Sequence, residues 1–153
     1  MPGESSSTPR EIQNYLGRIS GPLLDQIDLH VEVPAVRFRE MSTARQGESS
    51  AQIRERVVAA RKRQHDRFKD RKQITCNARM TGKELKVFCT LEPSTLELLK
   101  NAMTDMNLSA RAYDRILKVS RTIADLAQSS EIRPEHIAEA IQYRSLDREG
   151  WAG

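Results

Sequence analysis

The stretch Leu108-Ser109-Ala110-Arg111-Ala112-Tyr113-Asp114-Arg115-Ile116-Leu117-Lys118-Val119-Ser120-Arg121-Thr122-Ile123-Ala124-Asp125-Leu126 decides the fold class. Tyr113, Ile116, Leu117, Ser120, Ile123, Ala124 and Ala127 recur at three- and four-residue spacing, the period of a helix with one buried face. Ser109 stands where a capping side chain is needed. The same period predicts a helix on either side. One starts at Ser94, with Glu97 completing a capping box, and buries Leu96, Leu99, Met103 and Met106. The other starts at Pro134 and buries Ile137, Ala140 and Ile141. Connections of a few residues are expected to make the three helices antiparallel neighbours.

Upstream, Gly47-Glu48-Ser49-Ser50 leads into the longest helix, about 50–72, with Ser49 and Gln52 at capping-box spacing. Ile53, Val57, Ala60, Gln64 and Phe68 form a narrow stripe. The remaining faces carry nine basic residues against three acidic ones. Arg61, Lys62 and Arg63 are the candidate nucleic-acid contacts there, although aromatic side chains that could stack on bases are nearly lacking. Residues 73–90 are irregular, with Leu85, Val87 and Cys89 a weak strand candidate.

Residues 27–33 alternate, with Ile27, Leu29, Val31 and Val33 on one side and Asp28, His30 and Glu32 on the other. This predicts a half-buried strand stopped by Pro34. A lone strand lacks backbone partners, so a sheet is expected from another chain or from a longer parent. Before it, Thr8-Pro9-Arg10-Glu11 opens a short helix with Ile12, Tyr15, Leu16 and Ile19 on one face, ended by Gly21-Pro22. Residues 1–7 and 149–153 read as tails.

The chain has 153 residues, 38% hydrophobic and 30% charged, with a net charge of +4. That surplus is too mild to imply nucleic-acid binding by itself. The longest apolar run is Val57-Val58-Ala59-Ala60, far short of the ~20 residues of a membrane span. Cys76 and Cys89 have no metal or disulfide pattern, and the cytoplasm is the expected compartment. No GxxxxGK[ST] motif occurs, so the chain alone is not expected to hold a nucleoside triphosphate. HExxH and GxSxG are also lacking. His30, His65 and His136 are isolated and read as solvated or structural, and the two cysteines as packing thiols.

Several stretches in order resemble one family. They are Arg18-Ile19-Ser20-Gly21-Pro22-Leu23-Leu24-Asp25, then residues 27–34, Gly47-Glu48-Ser49-Ser50, Cys76-Asn77-Ala78, residues 108–126, and Glu139-Ala140-Ile141-Gln142-Tyr143-Arg144. Together they resemble the C-terminal third of a magnesium-chelatase-like AAA+ ATPase of the YifB/ComM type. The resemblance implies a mainly α fold. Residues 8–34 would be a remnant of the α/β ATPase core, one helix and one strand, and residues 35–148 a helical lid. It also implies ATP and magnesium in the parent protein, with none held by this chain alone. The partners would be the upstream core and the neighbouring subunits of a ring, a hexamer by family likeness. The substrate would be DNA in the branch-migrating members, or metal and porphyrin in the chelatase members.

By the same resemblance Arg111 matches the sensor-2 arginine of the lid. The physics agrees, because a first helical turn has free N–H groups and a dipole that favour phosphate, and a guanidinium adds bidentate contacts. The family usually places an arginine finger after Leu-Leu-Asp, but this sequence has Gln26 there, behind Asp25. Gln cannot neutralise transition-state charge, and losing a finger costs ~10³–10⁵ in turnover. Arg18 or another arginine substitutes, or hydrolysis is weak, or the residue was altered. Asp25 is expected to orient the interface. The alternative to a lid is a small DNA-binding module, since residues 94–127 loosely resemble a helix-turn-helix, without base-reading Asn or Gln in the first turns of the second helix.

Overall fold

The computed structural model describes residues 26–31, 33 and 47–144. The helix expected from Thr8, the tails, Arg18 and Asp25 lie outside the described residues. The described part is mainly helical, as expected of a C-terminal lid domain. Its elements are α1 (Ser50–Phe68), a 3-10 turn (Asn77–Arg79), α2 (Gly82–Phe88), α3 (Pro93–Asp105), α4 (Ala110–Leu126) and α5 (Pro134–Gln142).

Capping chemistry sets several of these boundaries. The Ser49 hydroxyl accepts from Gln52 N at 3.3 Å and the Gln52 side chain accepts from Ser49 N at 3.0 Å, the predicted box. α1 ends at Phe68, four residues earlier than the basic run suggested. Ser109 caps α4 as expected, accepting from Ala112 N at 3.2 Å. α3 starts one residue before the predicted cap, with Pro93 in its first turn and Glu92 as N-cap. Pro is preorganised for that position, so Ser94 is taken into the helix. Asn107 and Gln128 adopt left-handed φ of 48° and 56° after α3 and α4. The paired turns Leu108 N to Met103 O, 2.9 Å, and Ser129 N to Ala124 O, 2.8 Å, end both helices as Schellman motifs.

Leu85, Val87 and Cys89 do not form a strand. They lie on and just after α2, whose box pairs Thr81 with Glu84, so Leu85 and Cys89 share its buried face and Val87 points to solvent. The core joins Phe68, Met80, Leu85, Cys89, Leu99, Ile116, Leu117, Ile132 and Ile137. The Phe68 and Phe88 rings meet edge-on at 5.4 Å. α4 is the hub, packing on α1, α2 and α5, while α3 packs chiefly on α5 rather than on its successor α4. The sharp turn at Asn107 redirects the chain there.

The α1 stripe is buried only in its second half. Ala60, Gln64 and Phe68 pack inward, whereas Ile53 and Val57 are each 42% exposed. Residues 50–58 are all exposed, so the first turns of α1 project from the bundle by about 13 Å at 1.5 Å per residue.

Among the described residues there is no strand at 27–33. The polarity of the segment is also the reverse of the expectation: His30 is buried while Ile27, Leu29, Val31 and Val33 are exposed. Polar contacts dock it instead. His30 N donates to Tyr143 O at 2.8 Å, the Arg144 guanidinium donates to Ile27 O, and Arg115 pairs with Asp28. Among the described residues no strand pairs with the segment, and its hydrogen bonds and ion pair set the inward face.

Candidate nucleotide-sensing edge

α4 presents its first turn at the surface because Ser109 closes it and Ala112 is the first residue driven into the core. Arg111 lies between them and is exposed. The Ser109 side chain takes the Ala112 N–H, and a helix's first-turn N–H groups have no partner within the helix, which gives the start of α4 donor character. Arg111 is thus an exposed guanidinium beside a helix start, and the sequence has no phosphate-binding loop to go with it.

One turn later Arg115 forms an ion pair with Asp28 across the joint between segment 26–31 and α4. Gln26 is exposed in the turn just before Asp28. The structure thus brings the Gln26 segment to the helix that carries Arg111. Behind the segment lies a cavity of about 300 Å³ lined by Leu29, Lys118, Val119, Ile123 and Tyr143.

The basic face of α1 is less free than the sequence suggested. Arg61 is exposed, but Lys62 pairs with Asp66 at 3.0 Å and Arg63 donates to Gln128 O at 2.7 Å. Arg56 pairs with Glu48 at 2.6 Å, which holds its guanidinium above its ordinary value. Arg67 does not face solvent. It donates to both oxygens of fully buried Asp125 at 2.7 and 2.5 Å and to Asn77 Oδ1 at 2.8 Å.

That contact belongs to a buried clasp which sequence reasoning missed. Asn77 Nδ2 donates to Asp125 Oδ2 at 2.9 Å, and Asn77 N donates to Gln64 Oε1 at 3.0 Å. Arg121 lies 3.3 Å from Asp125 Oδ1 and donates to the carbonyls of Ser129 and Ser130. Burial pulls the Arg121 guanidinium below its ordinary value, and the Asp125 charge opposes that pull. The available signal was Arg121 and Asp125 at i, i+4 beside Ser120 and Ala124 on the apolar stripe of α4. His136 is structural: its Nδ1 accepts from Arg133 N at 3.0 Å. Burial also raises the Cys89 thiol to about 11, as suits a packing thiol.

A family model described as magnesium chelatase, subunit ChlI C-terminal, matches residues 47–144, nearly all of the helical part. The chain belongs to the magnesium chelatase ChlI family. A second model, magnesium chelatase, subunit ChlI, matches residues 2–41 of the chelatase-like chain. The chain is 41% identical over 142 residues to the uncharacterized protein YifB of Salmonella typhimurium, covering 92% of this chain and 27% of that protein. It is 42% identical over 143 residues to the competence protein ComM of Haemophilus influenzae, covering 93% and 27%. The mycobacterial protein Rv2897c is 35% identical over 132 residues, covering 86% and 26%. The chelatase-like chain thus spans about a quarter of the length of these curated relatives. It is a YifB/ComM-type, magnesium-chelatase-like chain. No described helix is long and apolar enough to cross a membrane.

Proposed function

We propose that this chain is the nucleotide-sensing helical lid of a ring-forming ATPase whose parent couples ATP hydrolysis to DNA remodelling. The observation that carries this reading is Arg111, exposed in the first turn of a Ser109-capped helix at the position where family likeness puts the sensor-2 arginine. ATP with magnesium supplies the phosphoryl chemistry when it is bound by the parent. The lid's part is to lay a fixed positive charge against the phosphates and to report their presence through α4. The name of the ComM relative, competence protein, points to a role in competence, and DNA as the substrate agrees with such a role. Gln26 can donate a hydrogen bond across a subunit interface but adds no charge there. The magnesium chelatase description favours a second reading, a motor subunit for metal insertion, in which Arg111 keeps the same task.

The test is Arg111→Ala in the full-length parent. Steady-state hydrolysis should fall by ~10²–10³, the loss expected for one preorganised charge-stabilising group. The lid's stability should stay within ~0.5 kcal/mol, as for other surface changes. Unchanged turnover, or an unfolded lid, would refute the sensor role.

A further inference from the structure

Besides exposed Arg54 and Arg61 on α1 itself, a second group of cations lies beyond the C-terminal end of that helix. A cavity of about 640 Å³ lies there, between the 70–74 turn and the start of α2. Arg71, Lys72 and Arg79 line it, with Asp70, Thr81 and Glu84. Arg71 is held in place, 3.5 Å from Glu84 and over the Phe88 ring at 5.9 Å. Glu84 accepts from Thr81 N at 3.0 Å and from the Thr81 hydroxyl, contacts that hold its carboxyl below the usual carboxylate range. Glu84 is therefore already engaged, and Asp70 is the second acid of the lining, so the three cations outnumber the acids by one. Lys72 and Arg79 are exposed and form no ion pair among the described residues. Lys69 and Lys83, exposed and adjacent in sequence, extend the positive field.

We infer that this cavity, through Lys72 and Arg79 with Arg71 as a fixed wall, is a binding site for the phosphodiester backbone of a nucleic acid. The inference rests on nucleic acid being the substrate, as in the reading above, and adds the place where it is held. A concave site with exposed cations at its rim suits a chain of phosphates, which neutralises them and releases counterions. Phe88 is covered by Arg71 and no exposed aromatic lines the cavity, so base stacking adds little and recognition is of the backbone, independent of sequence.

The experiment is fluorescence anisotropy of a labelled oligo-dT of about 20 nucleotides with this chain, over roughly 50–200 mM salt. Lys72→Gln/Arg79→Gln is compared with Arg61→Gln/Lys62→Gln, and thermal melts check that both fold. The cavity pair should weaken binding by at least about tenfold at low salt and shrink the slope of log K against log salt by about 1.4, two phosphates at ~0.7 each. The α1 pair lies outside the cavity and should stay within about threefold of the wild type. Wild-type-like affinity and slope in the cavity pair would overturn the site while leaving nucleic acid as substrate. So would a larger loss in the α1 pair. No binding by the wild type at low salt would overturn both, while the Arg111 test of the ATPase reading stands apart. Should the cavity pair melt early, the single variants Lys72→Gln and Arg79→Gln carry the test, each lowering the slope by about 0.7.

Discussion

Replacing Asp125 by Ala removes the buried acid that joins α1, α4 and the 3-10 turn. Asp125 is fully buried, and the side chains of Arg67 and Arg121 are only 14% and 5% exposed. The substitution leaves Arg67 with Asn77 as its one remaining hydrogen-bond partner, and Arg121 with the two carbonyls of Ser129 and Ser130. Breaking a buried pair from one side costs ~3–5 kcal/mol, because a charge stays buried without compensation. That is a large share of the ~5–15 kcal/mol by which a domain is stable. At about 4–8 °C per kcal/mol for a domain near 100 residues, the melting temperature should drop by more than ~12 °C. Urea titration followed by circular dichroism measures the free energy directly. Arg67→Met/Asp125→Leu should cost less than the two single changes added together, with a coupling of ~0.5–3 kcal/mol. A loss under about 1 kcal/mol for Asp125→Ala, or strict additivity in the cycle, would show that the clasp does not hold α1 to α4, and the reasoning from burial would fail.

Three further outcomes follow from the same geometry. Arg115→Ala should cost only ~0.2–1 kcal/mol, since the pair with Asp28 is partly exposed, yet hydrogen exchange at residues 26–31 should speed up as the segment loosens; unchanged exchange would show that the pair holds nothing. Cys89 should be alkylated at pH 8 about a hundredfold more slowly than an ordinary thiol, because its value is raised from 9.0 to about 11. The folded state then holds the thiol proton more tightly than the unfolded chain, so this contribution to stability is intact below pH 9 and fades as the pH rises toward 11; a Cys89→Ala variant should lack that loss in melts across the range. Calorimetry of the isolated chain with magnesium and ATP should give no tight binding, since the sequence has no phosphate-binding loop; a tight, magnesium-dependent isotherm would refute this.

Periodicity and caps were enough to place α1, α4 and α5 and most of their inward residues, because helical burial repeats every three or four positions and caps are local contacts. Ile116, Leu117, Ala124, Ile137 and Ala140 lie inside as their spacing requires. Arg111 was singled out by family resemblance, and its place two residues after the cap is all that local spacing adds. Local spacing could not show what a long-range partner decides. Leu85, Val87 and Cys89 alternate like a strand, but the Thr81–Glu84 box and a core on one side made them part of a helical turn. Residues 27–33 alternate as cleanly, yet hydrogen bonds to Tyr143, Arg144 and Arg115, far along the chain, turned His30 inward. The nine basic residues of the α1 region looked alike in sequence. Asp125, 58 positions beyond Arg67, drew one of them into the interior, and Gln128 took the Arg63 guanidinium. Which charges remain for a ligand is thus a property of tertiary structure, since a charge is neutralised by whatever the fold brings within about 4 Å of it.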